Sequence, residues 1–171
     1  MSVEHHHQLL ALAKRLCEGK PTRAELHRAV STAYYALFHL LIREATRLIN
    51  VGIDLRRQAA RAFDHGTMKD VCEIVARDKV GGKESLPKGL VGIVTSLPDD
   101  LKSIAKVFVD MQQQRHDADY KLNRNPPFTK SEVQDYVAQV EAAFAQWQAL
   151  GSGPEVKGFL LALLLHKKWD R

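Results

Sequence analysis

Cysteine is scarce in this chain of 171 residues. There are two, Cys17 and Cys72, far apart and without a CxxC pair. Two isolated thiols in apolar surroundings read as reduced, buried small hydrophobes of a cytosolic protein, not as a disulfide framework. Long apolar runs are also missing. The longest, "GFLLALLLH" from Gly158, falls far short of the roughly 20 residues that a membrane span needs. The first residues lack a charged segment followed by an apolar one, so no signal peptide is expected and the expected location is cytoplasmic. No two-residue alternation of apolar and polar positions is convincing, which argues against strands. Internal repeats and low-complexity segments are absent. Net charge is only +5, with a pI near 9.3. That is well short of a dedicated nucleic-acid tail, although it suits an acidic partner.

What remains is ordinary globular material with helical periodicity. A hydrophobic content of 45% supports a core and 26% charged residues suits a soluble protein. The length fits one domain, or one domain with an appendage. The first helix is expected over 3–18, stopping at Gly19 and Pro21. In "PTRAE", Thr22 and Glu25 form a capping box that opens a second helix running to about Ile49. Shorter helices are expected over 54–64 and 67–77, and "DKVGGKESLPKG" reads as a surface loop. "TSLPDD" opens the next long helix, with Pro98 suited to its first turn and Asp99 and Asp100 to its dipole. It should run to about Leu122, where "NRNPP" breaks it. Thr129 and Glu132 make a second capping box, with Phe128 stapled onto Val133, and that helix should reach Ala149. After the hinge "GSGP" a last helix is expected over 154–168. The expected fold is all-α, an up-and-down helical bundle over 1–150 with short accessory helices. Residues 151–171 are then a hinge and an apolar helix packing on the bundle or on a partner.

Three histidines in "EHHHQ" occupy consecutive helix positions and point in three directions, which makes a poor metal site; no metal and no cofactor are expected. The second helix is apolar on more than one face, through Leu26, Val30, Ala33, Leu37 and Leu41 and through Tyr34, Phe38, Ala45 and Leu48, so it should be central. Against this, Arg28, Thr32, Tyr35, His39, Arg43 and Thr46 step by three or four and line up as a polar, partly aromatic stripe. That stripe is either a solvated face or the wall of a groove. On the later long helix Leu101, Ile104, Phe108, Met111, Arg115, Ala118 and Leu122 also step by three or four, so Arg115 falls on the packing face. A buried guanidinium costs several kcal/mol unless paired. Asp119 stands one turn on as a partner, in the order that helps an isolated helix less. The pair reads either as a structural clip between helices or as an Arg held on a groove floor to meet a phosphate, which its planar fork suits.

Three stretches then carry a family resemblance. "RAVSTAYYALFHLL" resembles the R-x-x-Y-Y-A-x-F-H core of HEPN domains. Arg115-His116-Asp117-Ala118-Asp119-Tyr120 resembles their R-x-x-A-D-Y signature, and "FDHGTMKDVCEIV" resembles the His-Gly segment between. The resemblance covers about residues 5–148. It implies an α-helical bundle that is usually a homodimer, found in toxin–antitoxin pairs with nucleotidyltransferases and in defence systems. Many relatives are metal-independent ribonucleases that use an Arg followed four to six residues later by a His, the His serving the ribose 2′-hydroxyl and the Arg the phosphate charge. This chain departs from that pattern: the His positions hold Tyr120, Lys121 and Leu122. His116 follows Arg115 directly and should point about 100° away. If cleavage occurs, the resemblance gives Arg115 the phosphate and leaves Asp119, Tyr120 or His39 to handle protons.

Elsewhere, Arg57 and Arg61 share a helical face with Arg56 alongside, either as a solvated helix or as phosphate contacts. The best expectation is a protein that binds RNA or a nucleotide phosphate in a groove lined by Arg115, Asp119, Tyr120 and the second helix. Arg28, Tyr35, Arg43, Arg57, Arg61 and His116 are its binding residues, with an antitoxin or nucleotidyltransferase partner implied by the resemblance and no membrane role. The rivals are a metal-independent ribonuclease and a non-catalytic interaction module. For the last helix, apolar nearly all round, deletion of residues 154–171 is expected to expose a sticky patch or to change the oligomer. A truncated chain that stays soluble with an unchanged elution volume in size-exclusion chromatography contradicts this.

Overall fold

The computed structural model describes residues 5–49, 51–77, 97–121 and 123–168. Among them are seven α-helices, one 3₁₀ turn and no strand, so the protein is an all-α helical bundle. The expected loop at 78–89 lies outside the described residues, as do Asn50 and Leu122.

Local chemistry accounts for most helix ends. Helix α1 (His5–Leu16) gives way to Gly19 at φ 56°, a left-handed position that glycine takes without a Cβ clash. Helix α2 (Arg23–Arg47) opens on the expected capping box. Glu25 Oε2 accepts from Thr22 N at 2.6 Å and from Thr22 Oγ1 at 2.8 Å, and Glu25 N donates back to Thr22 Oγ1 at 3.3 Å. Helix α3 (Ile53–Ala60) is shorter than expected and buries no residue. Helix α4 (His65–Ala76) starts two residues early because Asp64 caps it, accepting from Thr67 N at 2.7 Å and Thr67 Oγ1 at 2.6 Å. Helix α5 (Asp99–Tyr120) begins just after Pro98, whose carbonyl accepts the first helical bond from Lys102 N. Helix α6 (Lys130–Ala149) carries the second capping box between Thr129 and Glu132, beside the buried side chains of Phe128 and Val133. Helix α7 (Pro154–Leu165) passes into a 3₁₀ turn at His166–Lys168.

The chain divides into two compact units. The first takes Met1–Leu40 and Val107–Ala145, and the second Leu41–Lys106 and Gln146–Arg171. In the first, α1 runs antiparallel to α6: His6 meets Phe144, Lys14 pairs with Glu141, Cys17 O accepts from Gln134, and Gly19 O accepts from Lys130. The segment of α2 in this unit runs antiparallel to α5, with the buried rings of Tyr34 and Phe38 against Phe108. In the second unit α7 packs on α4. It buries Val156, Phe159, Leu160 and Leu163, while α4 buries Met68, Val71, Cys72 and Val75. Lys167 closes that contact on Asp70 at 3.0 Å. The buried position of Cys72 pushes its thiol well above the ordinary range, away from the reactive thiolate.

Helix α2 is buried on nearly every face, as its apolar pattern requires. Between Leu26 and Ile42 only Arg28 is exposed and only Tyr35 and His39 are half-buried. The expected stripe is therefore narrower. Thr32 and Thr46 are buried, and Thr46 satisfies its hydroxyl on the Arg43 carbonyl at 3.0 Å, which lets it enter an apolar face.

A polar network fixes the turn between α5 and α6. Arg124 bonds Glu132 Oε1 at 2.8 Å and Pro126 O at 3.1 Å, lies 4.1 Å over the Phe128 ring, and shares Glu132 with the Tyr136 hydroxyl at 2.8 Å. Burial pushes the Glu132 carboxyl up, but bonds from Tyr136, Arg124 and Thr129 outweigh it and hold the carboxyl below its ordinary value. Burial and the Glu132 bond push Tyr136 up to about 12. A depressed carboxyl stabilises the fold above its unfolded value and loses that contribution as pH falls through the folded one. A raised phenol does so below 10 and loses it as pH rises toward 12. Glu132→Gln is expected to cost about 1–2 kcal/mol at neutral pH and to flatten both slopes. Urea midpoints of wild type and variant across that pH range check this; parallel profiles contradict it.

Candidate anion-binding site

The site grows from two helices whose side chains interlock at one end of the first unit. On α2, Arg23, His27, Ser31 and Tyr35 step by four and form one ridge. On the last turns of α5 the facing residues are Arg115, Ala118 and Asp119. His27 Nδ1 lies 2.7 Å from the Ala118 carbonyl. A carbonyl only accepts, so Nδ1 donates, and in the neutral ring Nε2 is left as the acceptor. The Ser31 hydroxyl donates to Asp119 Oδ1 at 2.5 Å. Arg115 Nη2 donates to the Tyr35 hydroxyl at 2.7 Å.

Arg115 is the centre of this arrangement. Its side chain is 19% exposed and that of Asp119 is 27% exposed, so both charges stand largely out of water. Nε is 2.7 Å from Asp119 Oδ2, yet Nε has no aligned hydrogen-bond partner. The contact is an ion pair by distance and not by N–H direction. Among the described residues Nη1 has no partner. The guanidinium carbon lies 5.4 Å from the Tyr35 ring centre and 5.8 Å from that of Tyr120, within cation–π range. Burial opposes the Arg115 charge, and Tyr35, Asp119 and Tyr120 outweigh it, so the pKa is raised and the group stays a cation. The Tyr120 ring is 66% exposed and tilts against exposed His116 at 5.0 Å.

Next to Asp119 opens a cavity of about 550 Å³, lined by Arg23, Ala24, His27, Arg28, Ser31, Ala118 and Asp119. The structure thus brings Arg115, Asp119, Tyr120 and Tyr35 together, with His116 against Tyr120 and Arg28 in the lining of the cavity beside Asp119. His39 instead sits among the rings of His5, Tyr35 and Phe38, its centre 6.4 Å from that of Tyr35. Arg43, Arg57 and Arg61 belong to the second unit. Arg43 pairs with Glu44 at 2.7 Å and Arg57 with Asp54 at 3.5 Å. Sequence reasoning missed His27 and Ser31. The four-residue step from Arg23 to Tyr35 was the available signal, but it reads equally well as a core ridge. Searches against family models, curated proteins and solved structures find no match for this chain.

Removing one member of a partly desolvated pair leaves the other charge uncompensated. Asp119→Ala is therefore expected to destabilise by about 1–2 kcal/mol, and Tyr35→Phe by about 1 kcal/mol. Combining Asp119→Ala with Arg115→Met should recover part of the first loss, because no charge is then stranded. Chemical denaturation of the single and double variants decides it: strictly additive losses mean that the two side chains are not coupled.

Proposed function

We propose that this protein is a HEPN-like binder of RNA or nucleotide phosphate, with Arg115 as the phosphate-contacting group in a groove bordered by Asp119, Tyr35 and Tyr120. One observation carries the reading: Arg115 is fixed by Asp119 and Tyr35, yet its Nη1 edge has no protein partner among the described residues. A guanidinium oriented in advance loses little freedom on meeting a phosphate, and its planar fork matches phosphate oxygens. The exposed Tyr120 ring beside it offers a face on which a base can stack. Homodimerisation and a nucleotidyltransferase or antitoxin partner enter this proposal through the family resemblance.

A second reading has its own support. The bond that Ser31 donates to Asp119 and the one that Tyr35 accepts from Arg115 tie α2 to α5, which is what a structural clip in a non-catalytic interaction module requires.

The test incubates folded wild type and folded Arg115→Ala with labelled RNA in EDTA and reads retention and cleavage together. Salt-sensitive retention by wild type, reduced at least tenfold in the variant and without cleavage, is the expected result. Cleavage in EDTA that disappears with Arg115 moves the proposal to a metal-independent ribonuclease. Identical behaviour of the two proteins rejects Arg115 as a binding residue and favours the clip.

A further inference from the structure

The cavity beside Asp119 has a composition that the phosphate reading does not use. Two of its walls are exposed cations, Arg23 and Arg28, from the first turns of α2. A third wall, Asp119, supplies acceptors. Asp119 uses Oδ1 for Ser31 and Oδ2 for Arg115. A carboxylate has about four lone-pair sites, so each oxygen keeps acceptor capacity. His27 also lines the cavity, but its Nε2 is closed off from solvent; its Nδ1–H bond to the Ala118 carbonyl fixes the ring beside Asp119. Ala24 and Ala118 are the small residues of the lining and leave room for close approach. Acceptors beside cations call for a ligand that carries hydroxyl donors next to an anionic group. The hydroxylated sugar of a nucleotide phosphate has that chemistry.

We propose that the cavity between the start of α2 and the end of α5 is a ribose subsite: Asp119, oriented by Ser31, accepts a hydrogen bond from a sugar 2′-hydroxyl while Arg28 meets an adjacent phosphate. The 2′-hydroxyl is the group by which a protein separates RNA from DNA at a given site. Ser31 is a positioning residue, itself buried, and it acts through the orientation of Asp119. This inference rests on the phosphate reading of Arg115 and adds the selectivity that Arg115 alone lacks, since phosphate contacts carry no information about the sugar.

The same chemistry can come from a strand or from a free nucleotide, so the test has two arms. In one, an oligoadenosine strand is compared with its oligodeoxyadenosine counterpart. In the other, adenosine monophosphate is compared with 2′-deoxyadenosine monophosphate. Binding to wild type, Ser31→Ala, Ser31→Thr and Arg115→Ala is read by fluorescence anisotropy and calorimetry. Wild type is expected to prefer the ribo form about tenfold, as one hydrogen bond to a charged group gives. Ser31→Ala should lose most of that preference, because its affinity for the ribo form falls several-fold more than its affinity for the deoxy form. Ser31→Thr, which keeps the hydroxyl, should retain the preference. A preference in the strand arm identifies RNA as the source, and one in the mononucleotide arm alone identifies a free nucleotide. Equal binding of ribo and deoxy forms that still depends on Arg115 overturns the ribose subsite and leaves the phosphate reading intact. A preference unchanged in folded Ser31→Ala also overturns it. No binding of any probe by wild type overturns both.

Discussion

A guanidinium that stands four-fifths out of water must be compensated where it stands, and much of the first unit is arranged around that requirement. Helix α5 offers Arg115 one carboxylate, Asp119, in the i to i+4 order that supports an isolated helix less, and the ring of Tyr120. The rest comes from α2, through the Tyr35 hydroxyl on the guanidinium and the Ser31 hydroxyl on the carboxylate. His27 adds a third bond to the Ala118 carbonyl. These contacts set a register. Sliding α2 by one helical turn, about 5.4 Å, would break all three bonds at once and leave partly buried polar groups without partners. The apolar rings of Tyr34, Phe38 and Phe108 supply the larger attraction, but close packing of rings tolerates shifts that directional bonds do not.

Most of the helical architecture was legible because its signals are local. The capping boxes at Thr22–Glu25 and Thr129–Glu132 are contained within four residues, and both form as their spacing requires. The packing face of α5 was legible from its period, and Leu101, Ile104, Phe108 and Met111 are buried. The displaced boundary of α4 has a local cause that the reading passed over, the Asp64 side chain on Thr67.

The site was only half legible. Arg115 and Asp119 declared themselves by breaking an apolar pattern. Their partners on α2 did not, because nearly every face of α2 is buried and its polar residues carry no mark of direction. Thr32 and Thr46 look like members of an open stripe and are buried, whereas Ser31 looks like core filler and meets Asp119. Which polar residue of α2 is used depends on a helix some 88 positions away in the sequence. No local pattern contains that fact.

In the proposed phosphate site the presence of Asp119 needs a reason, since a carboxylate repels phosphate. Arg115 and Asp119 together are close to neutral, so the pair gives little of the sequence-independent attraction that drives cationic surfaces onto nucleic acids. What it gives is geometry. A guanidinium held by a carboxylate and a phenol presents a fixed N–H edge, and a carboxylate held by a hydroxyl and a guanidinium presents fixed lone pairs. Exposed cations such as Arg28 can supply general attraction at the rim, where salt screens it. The half-buried pair is screened less, and preorganisation lowers the entropy cost of each hydrogen bond it would make. On the proposed reading the rim would set how strongly a polyanion is drawn in, and the Arg115–Asp119 pair which sugar and phosphate geometry is kept.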